Sequence, residues 1–221
     1  MTDPLHRSAE AEPGLAFRFA GARMIARGSG ALFWPEQGAL IVADLHLGKS
    51  ERMARRGGAL LPPFETRDTL ARLGAEIDAL GPRLIVLLGD VFDDDAALAA
   101  LNPADLAAFG RIGAGAELLV LAGNHDRKSG PETAHLGGIA LRHIAGQGPD
   151  ISGHYHPKIR LGPLARPAFL VGAEHLILPA FGTYTGGLWH DAPVLSALVP
   201  QGVAIMTGRR PLALPIGAGR G

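Results

Sequence analysis

The sequence contains no cysteine. Disulfides, thiolate metal sites and cysteine nucleophiles are therefore excluded together, and any metal must be held by His, Asp, Asn or water. There is no net charge either, because 21 Lys and Arg stand against 21 Asp and Glu. Indiscriminate nucleic-acid binders draw affinity from neutralising phosphates, so this balance argues against that class and leaves only local basic clusters open. No apolar run approaches the length of a membrane span. The opening MTDPLHRSAEAEPG lacks the apolar core of a secretory signal, so a cytoplasmic protein without membrane association is expected. A Gly-rich Lys-Ser or Lys-Thr phosphate loop is also missing, which speaks against ATP-driven action.

What is present suits one globular α/β domain: 221 residues, 47% hydrophobic and 19% charged. The expected limits are a flexible N-terminal tail over 1–14, a single domain over 15–207 and a C-terminal tail over 208–221. Short strands are expected at Leu15 to Phe19 and Ala22 to Ile25, then a longer one over Ala39 to Gly48. Helical spacing of Leu70, Leu73, Ile77 and Leu80 predicts a helix from Pro62 to the Gly81-Pro82 stop. A second helix is expected from Pro103 to Ile112. Apolar runs at Leu84 to Asp94 and Glu117 to Ala122 complete a strand, helix, strand alternation that implies a parallel sheet. From Lys128 a loop to Gly138 is expected and then short strands, with Val194 to Leu198 and Val203 to Met206 forming a closing hairpin about Pro200-Gln201-Gly202. Two sheets packed face to face with helices outside fit this order.

Four apolar runs end in ligand-type residues: ALIVADLHLG, LIVLLGDVFDD, ELLVLAGNHD and DISGHYHP. They bring Asp44, His46, Asp90, Asn124, His125, Asp126, His154 and His156 to strand carboxyl ends, where open α/β sheets place their chemistry. Asp44 and His46, two apart, would point the same way from an extended strand end and share one cation. Asp90 has two oxygens and suits a bridge, Asn124 offers a carbonyl oxygen, and His154 and His156 could divide between two ions. His143 is a further candidate, with His135 as its competitor. Mixed imidazole, carboxylate and amide ligation suits two divalent ions, manganese foremost with iron, zinc or magnesium as alternatives, rather than calcium. Ions about 3.5 to 4 Å apart would clamp a phosphate and activate a shared water as hydroxide. His125 would protonate the leaving oxygen with Asp126 orienting its imidazole, or else serve as a plain hydrogen-bonding residue. Lys49 and Arg52, in a basic stretch after the first ligand pair, are candidates for phosphate contacts; a solvated face is the alternative. Tyr184 and Trp189 are read as packing residues or as platforms for a base, and His175 as an ordinary polar residue near the site.

Asp44-Leu45-His46, Gly89-Asp90, Gly123-Asn124-His125-Asp126 and Gly153-His154-Tyr155-His156 together resemble the signature of the calcineurin-like metallophosphoesterases. The resemblance implies a four-layer αββα sandwich with two mixed sheets. It also implies one metal on Asp44, His46, Asp90 and His156, a second on Asp90, Asn124, His143 and His154, and His125 as catalytic histidine. Across nearly the whole chain, ALIVADLHLGKSERMARRG, ISGHYHPK and LPAFGTYTGGL are similar to the bacterial ligase-associated DNA-damage-response endonucleases. That likeness implies metal-dependent phosphodiester cleavage, with DNA as substrate and functional association with an ATP-dependent DNA ligase, a helicase and an exonuclease. Asp93 departs from that branch, whose members often carry His there. The rival readings are a small-molecule phosphoesterase acting on nucleotides and an inert scaffold.

Overall fold

The computed structural model describes residues 14–58, 61–94 and 96–217. The first sheet contains β1 (Gly14–Phe19), β2 (Ala22–Arg27), β3 (Leu32–Trp34), β4 (Ala39–Val42), β5 (Leu84–Leu87) and β6 (Glu117–Val120), in that spatial order. β1 to β4 run antiparallel, whereas β4, β5 and β6 run parallel. The second sheet is built from β7 (Thr133–Leu136), β8 (Ile139–Arg142), β9 (Asp150–Ser152), β10 (Lys158–Leu161), β11 (Leu164–Val171), β12 (His175–Ile177), β13 (Gly202–Met206) and β14 (Leu212–Ile216). It too is mixed, since β9 pairs in parallel with both β8 and β12. The helices are α1 (Lys49–Arg55), α2 (Glu65–Leu80), α3 (Ala97–Ala100), α4 (Pro103–Ile112) and α5 (Pro193–Leu198). Among the described residues no helix is long and apolar enough to cross a membrane.

Three separate apolar clusters fill three interlayer spaces, and three spaces require four layers. Strand alternation sorts residues between them. Ile41, Val86 and Leu88 meet Leu141, Ile151, Phe169 and Leu176 between the sheets. Their neighbours Leu40, Val42, Ile85 and Leu87 face the other way, onto Leu70 and Leu73 of α2 and Ile112 of α4. On the far side, Leu170, Ile177 and Ala204 pack under Leu195 of α5. The central strands are buried on both faces, which is why their sequences are continuous apolar runs.

Three expectations are corrected. Val194 to Leu198 is not a hairpin strand but lies in α5, because Pro193 occupies the first helical position and Leu195 and Val199, four residues apart, share the buried face. The partner of β13 is instead β14, so the expected C-terminal tail contributes a strand, with Met206 opposite Leu212 and Gly202 opposite Ile216. The expected loop before Gly138 contains β7, joined to β8 by Gly137 and Gly138, whose φ of 53° and 81° suit the tight turn of a two-residue hairpin. The N-terminal tail expected over 1–14 lies outside the described residues except Gly14, which opens β1.

Candidate metal centre

Each ligand-bearing run leaves the sheet earlier than its apolar length suggests. β4 ends at Val42, and Asp44 and His46 then take φ of 55° and 47°. Asp90, His154 and His156 are likewise left-handed, at 48°, 71° and 47°. Asp44 and His46 therefore converge through alternate left-handed residues, not through extended-strand alternation. Such a conformation costs an L-residue about 1–2 kcal/mol and persists only where surroundings over-determine it. Here they do: His46 N–H donates to the Asp90 carbonyl at 3.0 Å, Leu47 N–H to Val91 at 2.9 Å and Asp93 N–H to Leu47 at 3.0 Å. The second sheet joins in through Gly182 N–H on the Asp44 carbonyl at 3.0 Å. Gly123 is required for this approach, because a Cβ there would land on the Asp90 backbone nitrogen and carboxylate.

The side chains gather into three overlapping groups: Asp44, His46 and His156; His46, Asp90 and His125; Asp90, His143 and His154. Asp90 belongs to two of them. His46 Nδ1–H donates to Asp93 Oδ1 at 2.8 Å, which leaves Nε2 as a lone pair 3.4 Å from His156 Nε2. His143 Nδ1–H donates to the Leu88 carbonyl at 2.9 Å. Its Nε2 then faces Asp90 Oδ2 at 3.3 Å, Asn124 Oδ1 at 2.8 Å and His154 Nδ1 at 3.2 Å. Asp44 Oδ1 is buried without any hydrogen-bond partner, yet lies 3.5 Å from His156 Nε2 and 3.6 Å from His143 Nδ1. Such an orphaned carboxylate oxygen beside the His156 Nε2 is what a cation would satisfy. The residues thus fit divalent metals through oxygen and nitrogen donors alone.

The charges agree with this reading. Burial pushes the Asp90 carboxyl up, but the His143 hydrogen bond and the His125 N–H outweigh it and hold the pKa at about 2. His143 is pushed down by burial and more than restored by Asp90 and Asp44, so its pKa is raised. His154 is lowered, by burial first and by the neighbouring His143 second.

His125 faces this centre, with Nε2 at 3.9 Å from Asp90 Oδ2 and Nδ1–H donating to the Asp93 carbonyl at 3.0 Å. Asp126 does not orient it. Its carboxylate instead accepts backbone N–H groups from Asp90 at 3.1 Å, Gly123 at 3.0 Å, Val91 at 2.8 Å and Phe92 at 3.2 Å. Arg52 directs its Nε–H to the Asp93 carboxylate, so part of its guanidinium is engaged within the protein. Arg55 and Arg56 are paired with Glu51 and Asp94, so most of the expected basic face is neutralised. Lys49 begins α1 next to this network. His135 is exposed on β7, away from the three groups, whereas His143 is 4% exposed. His175 pairs with Asp150 instead of approaching the centre.

Asp93 stands out in sequence only as a departure from the endonuclease branch, and its contact with His46 emerges from the structure. It is 1% exposed, and its carboxylate joins His46 on one side to Arg52 on the other. Burial pushes its carboxyl pKa up, but the His46 hydrogen bond, Arg52 and Lys49 bring it below the ordinary value. A run of three aspartates reads as turn chemistry, and only the tertiary contact with His46 separates the first from the others.

A cavity of about 670 Å³ between α2 and α4 carries none of these groups. Two smaller clefts flank the centre, one of about 400 Å³ lined by Asn124 and His143 and one of about 190 Å³ lined by His156. The calcineurin-like phosphoesterase family model matches residues 39–190, which span all the ligand-bearing runs. No curated protein matches the chain. Among solved structures, it is similar to the crystal structure of Pseudomonas putida nuclease MPE, with 27% identity, 92% of this chain and 100% of that chain covered, and a TM-score of 0.71. The chain belongs to the calcineurin-like phosphoesterase family and is a metal-dependent phosphoester hydrolase.

Proposed function

We propose that the protein is a nuclease that hydrolyses phosphodiester bonds, with DNA as its substrate, using two divalent ions of which manganese is the foremost candidate. The observation that carries this reading is Asp90, shared between two ligand groups and facing His125 across the cleft. One group would hold a metal through Asp44, His46, Asp90 and His156, the other through Asp90, Asn124, His143 and His154. When bound, the ions supply Lewis acidity to the phosphoryl oxygens and activate the attacking water. The likeness to a nuclease supports nucleic acid over small phosphoesters. Cytoplasmic work beside an ATP-dependent DNA ligase, a helicase and an exonuclease in repair completes the reading, which rests there on the sequence resemblance. Lys49 remains the candidate phosphate contact at the mouth.

The chain's own contribution is proton handling and orientation. As an imidazolium, His125 keeps its Nδ1–H on the Asp93 carbonyl and gives its Nε2 proton to the departing oxygen. Replacing it with alanine should lower turnover of an alkyl-leaving diester by about 10²–10⁴-fold. A nitrophenyl diester, whose leaving group needs no proton, should be affected far less; equal losses on both would remove the acid role. Asp93 aligns His46 by accepting its Nδ1–H. Asp93→Ala should weaken manganese binding by about 10–100-fold in a calorimetric titration, and unchanged affinity would reduce Asp93 to a structural anchor for Arg52.

The reaction class is tested by manganese-dependent hydrolysis of a bis-aryl phosphate diester beside the matching monoester. Diester turnover supports the proposal, and turnover of the monoester alone would shift it to a small-molecule phosphatase.

A further inference from the structure

The cleft beside His156 differs from its counterpart beside His143. Glu132 lines the His143 cleft next to Arg127 and Arg142, which dilutes its positive charge. The His156 cleft is lined by Lys158, Arg166 and Trp189, with Arg160 next along the same strand. Lys158 and Arg160 lie two apart on β10 and share one face, whereas Arg166, paired with Ile159 on β11, belongs to the opposite face. Among the described residues neither Lys158 nor Arg160 is in an ion pair. Arg160 is exposed. In a chain with no net charge, unpaired cations gathered at one edge of the reaction centre create a local positive field that favours an anion.

Trp189 holds this field in place. Its ring centroid is 4.6 Å from Lys158 Nζ and 4.7 Å from Arg160 Cζ, within reach for cation–π attraction to both. The ring is itself fixed, because its segment is bridged to β10: Lys158 N–H donates to the Leu188 carbonyl and His190 N–H to the Lys158 carbonyl, both at 2.9 Å. The same segment presses on the centre, as a Cβ on Gly187 would land on the His156 carbonyl. The cations are thus held in a rigid relation to a residue of the metal centre.

We propose that Lys158 and Arg160, held by Trp189, form a subsite for the phosphates of the nucleic-acid strand that runs from the metal centre past His156. This rests on the phosphodiesterase reading above and adds the path the substrate follows. The ligand is a polyanionic chain, because a lone phosphate monoester at the centre would not extend to Arg160.

The test is fluorescence anisotropy of a labelled single-stranded oligonucleotide with the full-length protein, free of added metal, over a series of salt concentrations. In Lys158→Ala/Arg160→Ala, binding should weaken by about tenfold or more, and the slope of log affinity against log salt should fall by about 1.4, the share of two phosphate contacts. The charge-conserving pair Lys158→Arg/Arg160→Lys should recover most of the affinity, and Arg18→Ala/Arg23→Ala, on the β1–β2 hairpin, should bind as the parent does. Parental affinity and slope in the alanine pair would overturn the subsite, as would a charge-conserving pair as weak as the alanine pair or a parent protein that does not bind the strand. Intact Asp90-dependent diester hydrolysis without strand binding would remove the subsite alone. Strand binding without diester hydrolysis would remove the proposed reaction and keep the subsite.

Discussion

Asp90→Asn is expected to abolish phosphodiester turnover in a protein that still folds, with some loss of stability because the depressed carboxyl pKa marks a charge that favours the folded state at neutral pH. The replacement keeps the shape of the side chain and an oxygen to accept the His125 N–H, now at 2.9 Å. It removes the charge that the two ligand groups share. The carboxylate, with its pKa held at about 2, is fully ionised at neutral pH, so the loss is of an anion and not of a neutral acid. Charge stabilisation by a metal pair is worth several kcal/mol in the transition state, and about 4 kcal/mol corresponds to a rate loss on the order of 10³-fold. Single-turnover rates at saturating manganese, alongside calorimetric metal stoichiometry, check this. Turnover within about tenfold of the parent would remove Asp90 from the bridging position.

Asp126→Ala should act chiefly through stability. Four backbone N–H groups in the loops after β5 and β6 converge on this one carboxylate, which is 3% exposed. An unsatisfied buried donor costs about 1–3 kcal/mol, so even partial rescue by water leaves a loss of about 4 kcal/mol. In a chain of this size that lowers the melting temperature on the order of 10 °C. Asp126→Asn, with one acceptor oxygen left and an amide pointed at donors, should fall between the two. An Asp126 that acted on His125 would instead leave melting unchanged and lower turnover only, so thermal unfolding separates the two roles.

The chemistry was legible where burial leaves a one-dimensional trace. Central strands covered on both faces must be apolar throughout, so the positions where Asp, His and Asn interrupt them stand out without any structure. The same trace separates His143, which ends an apolar strand, from His135 on an exposed one. The partners of Asp93 and Asp126 left no such trace, because they are supplied by other segments. Asp93 meets His46 across 47 positions, and Asp126 meets the Asp90 to Phe92 backbone across 34 to 36. α5 and β14 were misread for a related reason: short apolar segments fit helix and strand alike, and packing on the second sheet decides between them.

The left-handed backbone at Asp44, His46, Asp90, His154 and His156 also limits how the centre can be engineered. At about 1–2 kcal/mol each, five such residues amount to a conformational cost of about 5 kcal/mol or more, which no one of the loops could sustain by itself. The loops after β4 and β5 hold each other through main-chain bonds, and Gly182 from the second sheet ties down Asp44. Grafting the Asp-Leu-His segment alone onto another α/β scaffold should therefore yield a loop that relaxes to ordinary geometry and splays its ligands. A transplant that works would have to carry both loops and the Gly182 segment as one unit.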